Sequence, residues 1–377
     1  MRPLNRGARN AYPYNINMAS MATLTGSLQN YTLAYNQAAV TNVIGANPDM
    51  EDQLDYVWLT VTKAAAAQIV APANLPARTA AKPRIVERNG DEYRRSANDL
   101  IANMGRFCAY CEKPNPSPLA VEHMVPKDNF PLFSLSWTNF LLTCTVCNTA
   151  GTGKGTGPSR ATVVGWGGGA PADELGYFTR CRNRYLWPDM PAAYQDLTPR
   201  LEYFSISTNA WQPVPAAESV RWGIVELSNT YATREVRASI FLDATAQQYA
   251  RRVRVRYVPA NAAATRAQTY FGLDQPGGGG ANPTTSDGRE FDRTRAWLAV
   301  VGDIGALTVL PLASWANYWA YLPTRAANLG HFSVWVRVLD QLNMVDQQNP
   351  PQTILDRFLA TCVGATGFPG TDLTQVP

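Results

Sequence analysis

The sequence predicts an α+β protein, mostly helical, built around one small metal-stapled unit of two strands and a helix. Three observations predict it. Two Cys-x-x-Cys pairs, Cys108/Cys111 and Cys144/Cys147, enclose two short strand-like runs, Leu119 to His123 and Leu141 to Leu142. Helical patterns stand on both sides of that unit. The composition, 46% apolar and 16% charged over 377 residues, is that of a globular chain long enough for several domains.

Taken in order, residues 1–100 read as an N-terminal helical region. Asp49 to Val70, rich in Leu, Val and Ala with acidic residues in its opening turn, is expected to be a helix, and Leu24 to Val43 a shorter one. Ala71 to Pro83 carries three prolines and reads as a linker. Arg94 to Met104 is expected to be helical and to lead into residues 101–190, the metal-bound unit. There Cys147 onwards should open the helix that follows the two strands. Gly165 to Gly169 is expected to be a mobile loop.

Residues 191–377 are expected to be mostly helical. Short strand-like runs occur near Leu201 to Ile206, and Val220 to about Val255 reads as a long, mostly helical stretch. Gln275 to Asp287, with four successive glycines, reads as a loop. Arg289 to Val301, Leu307 to Tyr321, His331 to Leu342 and Pro351 to Cys362 read as short helices. No internal repeat of fixed period is present.

Charge and cysteine usage narrow the function classes. A net charge of +4 means that any affinity for nucleic acid must come from a local patch. No apolar run approaches the length of about 18 residues that a transmembrane helix needs, so no membrane role is expected. Met1 to Asn17 has arginines but no apolar core with a cleavage site, unlike a secretory signal. Four of the six cysteines fall in the paired motif, which favours metal binding in a reducing cytoplasm over a disulfide framework. Four thiolates at this spacing suit a tetrahedral structural zinc, each pair gripping the ion from a tight turn.

The residues between the pairs suit phosphodiester hydrolysis. That reaction needs a deprotonated water and a cation to neutralise charge on the phosphate and leaving oxygen. His123 could take the proton, because imidazole titrates near working pH. Glu122 offers a hard carboxylate oxygen for Mg2+ or Mn2+, and Asn148 an amide oxygen anchored beside Cys147. Asn139 can bridge backbone groups and fix the loop that carries His123.

Cys108-Ala109-Tyr110-Cys111-Glu112, Val121-Glu122-His123-Met124-Val125-Pro126-Lys127, Trp137-Thr138-Asn139-Phe140-Leu141-Leu142 and Cys144-Thr145-Val146-Cys147-Asn148 together resemble the HNH (ββα-metal) endonucleases of the four-cysteine zinc type. The resemblance implies that His123 is the general base and that Glu122 and Asn148 hold the catalytic divalent ion. It also implies that Asn139 is the structural asparagine of the catalytic loop and that the four cysteines hold zinc.

Met1-Arg2-Pro3-Leu4-Asn5-Arg6-Gly7, Tyr185-Leu186-Trp187-Pro188-Asp189, Phe332-Ser333-Val334-Trp335 and Phe358-Leu359-Ala360-Thr361-Cys362 look like landmarks of stand-alone bacterial HNH proteins, several from anti-phage defence loci. The implied substrate is DNA, with RNA as the other polynucleotide. The implied partner is a regulatory or targeting protein from the same operon. Three departures stand out. Glu122 replaces the usual Asp, Asn148 stands for the third motif letter, and Lys154-Gly155 lies further from Asn148 than the family's Lys-Gly. The segment from Gly7 to about Arg94 resembles an insertion.

Other groupings are weighed against blander roles. Gly151-Thr152-Gly153-Lys154-Gly155 is not a phosphate loop, since Asn148 stands where the first Gly belongs and Gly155 where Ser or Thr does. In Arg251-Arg252-Val253-Arg254-Val255-Arg256-Tyr257, alternation would put Arg252, Arg254 and Arg256 on one strand face; alternatively the run ends a helix. Lys127, Lys154, Arg182, Arg184, Arg252 and Arg254 are the candidate nucleic-acid contacts, against the reading of solvated charge. His331 reads as a packed or capping residue, and Cys181 and Cys362 as apolar fillers. The competing function is a zinc-stabilised nucleic-acid-binding or partner-binding subunit, inactive alone.

Overall fold

The computed structural model describes residues 1–7, 92–126, 137–148, 158, 160–171, 174–230, 235–243, 248–274, 288–346, 350–362 and 367–377. The expected helices at Leu24 to Val43 and Asp49 to Val70, the Pro-rich linker and the Gln275 to Asp287 loop lie outside these residues. Among the described residues the architecture is α+β, with a two-stranded and a five-stranded antiparallel sheet.

A 3-10 turn, Glu92–Ser96, runs into α1 (Ala97–Met104), which buries Leu100 and Met104. Strands β1 (Leu119–His123) and β2 (Phe140–Cys144) pair antiparallel, with Leu119 opposite Cys144 and His123 opposite Phe140. A four-residue helix, α2 (Thr145–Asn148), follows β2 directly. All of β2 is buried, because α1 packs over it and its apolar run has no solvent face to serve.

The glycine tract expected to be a mobile loop is contacted by one arginine. It follows α3 (Arg160–Gly165), and Arg180 of α4 (Glu174–Arg184) donates to the carbonyls of Gly167 at 3.1 Å and Gly169 at 2.6 Å.

The stretch Val220 to Val255 is the main correction. It forms strands, not a helix. The five-stranded sheet runs in the order β4-β3-β7-β6-β5. Its strands are β3 (Leu197–Ser205), β4 (Ala210–Pro213), β5 (Val225–Thr230), β6 (Glu235–Asp243) and β7 (Gln248–Pro259), with the one-turn helix α5 (Ala216–Ser219) between β4 and β5. The physical reason is period. Val253, Val255 and Tyr257 are buried at alternate positions, an arrangement a strand supports and a helix would scatter around its circumference. Among the described residues of 191–377, five strands therefore stand beside the helices, where short strand-like runs alone were expected.

Helix α6 (Ala262–Tyr270) follows, capped by Asn261, whose side chain accepts from Ala264 N at 2.9 Å. Beyond it lie α7 (Arg289–Val309), α8 (Leu312–Leu329), α9 (Phe332–Leu342) and α10 (Ile354–Cys362). The break between α7 and α8 falls at Leu310 and Pro311, inside the run read as one helix from Leu307. Pro311 cannot extend the ladder of α7, and it starts the next helix instead.

Two apolar cores result. One surrounds the hairpin and α4, with Tyr110, Trp187 and Phe271 at its centre. The other fills the space between the sheet and α7 to α10. Glu112 joins them. Its buried carboxylate accepts from Arg2 N at 3.0 Å, Tyr257 OH at 3.0 Å, and Ser333 N and Oγ, both at 2.7 Å. Burial alone would raise its pKa, but the Met1 ammonium and the Ser333 hydrogen bonds outweigh it and hold the carboxyl below its usual range. Gly330 makes that junction possible. With φ at +69°, a Cβ there would stand 2.5 Å from Pro114 Cδ and 2.8 Å from the Glu112 carbonyl oxygen.

Candidate metal centre

The four cysteines come from two tight turns at the open end of the hairpin. The Cys108–Cys111 turn is closed by Glu112 N donating to Cys108 O at 2.9 Å and Cys108 N to Lys113 O at 3.0 Å. Ala109 N donates to Leu142 O at 2.8 Å, docking this turn on β2. Cys144 ends β2 and Cys147 lies in α2, so the second pair is set by a strand running straight into a helix.

All four side chains are buried, and their sulfurs lie within 4.8 Å of one another. Cys111 Sγ and Cys144 Sγ are 3.8 Å apart. A tetrahedron with Zn–S bonds of about 2.3 Å has sulfurs about 3.8 Å apart, so the cluster is positioned to bind a metal ion and fits zinc. Four protein ligands would leave no open position on a tetrahedral ion, the arrangement found in structural zinc sites.

The electrostatics agree with that role. Hydrogen bonds from Cys108, Cys111 and Cys147 push the Cys144 thiol far down. Hydrogen bonds with Cys108, Cys144 and Cys147 push Cys111 up, while burial foremost pushes Cys147 up. Crowded thiols thus hold protons against one another, and a cation among them would let all four ionise. Arg289, from the start of α7, donates to Cys147 Sγ at 3.2 Å and to the carbonyls of Phe271 and Gly272, both at 2.7 Å. A fully buried guanidinium beside a thiolate offsets part of the excess negative charge of a four-thiolate zinc. No sequence motif marks Arg289, because it lies 142 residues from its sulfur partner.

Glu122 and His123 are the last two residues of β1, both buried, with His123 9% exposed. The His123 ring is walled by Tyr93 at 4.6 Å and by Phe140, perpendicular to it at 5.1 Å. Asn139 sits fully buried in the turn before β2. Its Oδ1 accepts from Val125 N at 2.8 Å and its Nδ2 donates to Val125 O at 3.0 Å, while Met124 N donates to its main-chain oxygen at 2.9 Å. Three bonds thus fix the chain immediately after His123. Asn148, half-buried, closes α2, which packs against β1.

The basic candidates scatter. Lys127 and Lys154 lie outside the described residues. Arg182 donates to Asp189 at 2.7 Å and lies over the Trp187 ring, and Arg184 lies over Trp166 at 5.1 Å. Arg252 and Arg254 are on β7 of the five-stranded sheet, as strand residues and not as a helix end. His331 is buried, with neither ring nitrogen hydrogen-bonded, at the head of α9 in the left-handed conformation. It is packed, and its side chain caps nothing. Cys181 and Cys362 are buried, and burial pushes both thiols up to about 12.

Among the described residues, no helix is long and apolar enough to cross a membrane. Compared with known proteins, the chain matches no family model, no curated protein and no solved structure.

Proposed function

We propose that the chain is a metal-dependent nuclease of the HNH type, hydrolysing phosphodiester bonds of DNA, with the four-cysteine cluster as its structural zinc site. The observation that carries the reading is the placement of Glu122 and His123 at the end of β1, on a hairpin whose other strand delivers Cys144. Asn139 clamps the turn between them.

In this reading His123 accepts the proton of the attacking water. Its edge-on packing between Tyr93 and Phe140 sets the ring plane, so the imidazole pays little orientational entropy at the moment of transfer. Glu122 and Asn148 supply hard oxygen donors, the set that suits Mg2+ or Mn2+. A divalent ion there would neutralise charge on the scissile phosphate and leaving oxygen. Zinc-gripped turns would hold a strand, a loop and a helix in register beside the apolar core that surrounds the hairpin.

The test is plasmid cleavage with Mg2+ or Mn2+ by the wild type and His123→Ala, with bound zinc assayed in both. The expected loss is at least about a hundredfold, the size of a general-base contribution. A wild type that carries zinc and binds DNA, yet never cuts with either ion, would favour the binding-subunit reading instead. A role in anti-phage defence and an operon-encoded regulatory partner rest on the motif resemblance, and a cytoplasmic setting on the cysteine usage. Co-purification with neighbouring gene products tests them.

A further inference from the structure

The outer face of the five-stranded sheet gathers arginines. Alternation along β7 sends Val253, Val255 and Tyr257 into the core, where α7 and α9 cover the sheet, and puts Arg252, Arg254 and Arg256 on the other side. The register spreads this stripe across three strands. Arg237 of β6 lies opposite Arg252, and Glu202 and Arg200 of β3 lie opposite Arg254 and Arg256. Two carboxylates meet the stripe: Glu202 engages Arg200 and Arg254 at 2.8 and 2.9 Å, and Asp274 stands 3.7 Å from Arg256. Five arginines beside these two carboxylates make the described part of this face basic.

The aromatic residues of the same face organise that charge. Phe204 of β3 and Trp211 of β4 are paired across the strands and meet edge to face at 5.5 Å. Arg252 lies over Phe204 at 4.6 Å, and Arg254 over Trp211 at 4.1 Å. A guanidinium laid on a ring is held in one plane while its N–H edges remain directed to an oxyanion. Beside them opens a cavity of about 640 Å³, lined among others by Phe204, Ser205, Ser207, Arg237, Arg251 and Arg252. A cavity edged by a ring, hydroxyls and guanidinium groups suits an unstacked base with its flanking phosphates, which a duplex does not offer.

We infer that this face is a docking surface for single-stranded nucleic acid, with phosphates on Arg237 and Arg252 and a base in the cavity beside Phe204. It takes from the proposed function only that the partner is a polynucleotide, and it places the holding of the strand apart from the cleavage hairpin.

The test is fluorescence anisotropy of a labelled oligothymidine strand and of a duplex of equal length, without added Mg2+ or Mn2+. The wild type is compared with Arg237→Gln/Arg252→Gln and with Arg221→Gln/Arg337→Gln, which removes the same charge elsewhere. Circular dichroism and bound zinc check that each variant is folded. The sheet-face variant should weaken single-strand binding about tenfold or more. It should also lower the slope of log affinity against log salt by about 1.4, the value for two phosphate contacts on a single strand. The control should bind as the wild type does.

Four results would each overturn the inference: equal weakening by the control, unchanged binding by the sheet-face variant, tighter binding of duplex than of single strand, or competition by polyglutamate as effective as by oligonucleotide. A protein that binds strands through this face but cuts none would leave the inference standing and remove the cleavage reading. One that cuts, yet binds normally without these arginines, would do the reverse.

Discussion

Arg289 Nη1 stands 3.2 Å from Cys147 Sγ, and the same guanidinium closes on the carbonyls of Phe271 and Gly272. One side chain thus ties the first turn of α7 to the cysteine cluster and to the turn after α6. Replacing it with methionine keeps much of the bulk but removes the charge beside the sulfur and leaves two buried carbonyls without this donor. Outer-sphere donors to metal ligands are worth about 10- to 100-fold in metal affinity. Arg289→Met should therefore release zinc to a chromophoric chelator faster, with affinity lower by that factor. Release indistinguishable from wild type would show that the contact does nothing for the metal.

Asn139 and Val125 are joined by two hydrogen bonds in a fully buried pocket. Asn139→Ala strands a backbone N–H and a backbone C=O away from water. Each orphaned group costs about 1–3 kcal/mol, so the expected destabilisation is roughly 2–6 kcal/mol, read from the midpoint of urea unfolding. Asn139→Asp keeps the acceptor for Val125 N but sets a carboxylate oxygen against Val125 O, and should be no better tolerated. A shift below about half a kcal/mol for the alanine variant would mean the loop is held by other contacts.

His331 makes acid stability a readout of the core. Burial holds its pKa down to about 4, with Glu112 pulling partly the other way. Unfolded, the imidazole titrates near about 6.5. Between those values the unfolded chain binds the extra proton, so stability is complete above the upper one and falls as pH drops toward the lower. By pH 4 the loss from this group is roughly 3 kcal/mol. The lowered Glu112 carboxyl adds a loss of the same sign at still lower pH. His331→Asn, which tolerates the left-handed backbone, should flatten the profile between about pH 6.5 and 4. Urea midpoints across that range check it, and a variant profile parallel to the wild type's would refute it.

The local features of the metal centre were legible in the sequence because they are local. Two residues between cysteines make a turn that brings both sulfurs to one side, whatever surrounds it. A short apolar run between such turns is long enough for a strand and too short for a helix. The four-sulfur cluster therefore follows from spacing, while the hairpin with Leu119–His123 as its first strand is what the motif resemblance implied. The helices from Arg289 onward were legible for a similar reason, since a 3.6-residue apolar stripe is visible without knowing its partner.

Tertiary structure decided the rest. Val220 to Val255 became sheet because β7 lies between β3 and β6, where Val253 and Val255 bury one face and leave a stripe of arginines on the other. Alternation that a single segment states weakly is enforced only when neighbouring strands supply its hydrogen bonds. Arg289 reaching Cys147, and Glu112 gathering Arg2, Tyr257 and Ser333, join residues more than a hundred positions apart. No spacing rule encodes such pairs. They form because a charge removed from water must find its partners wherever the packed chain has brought them.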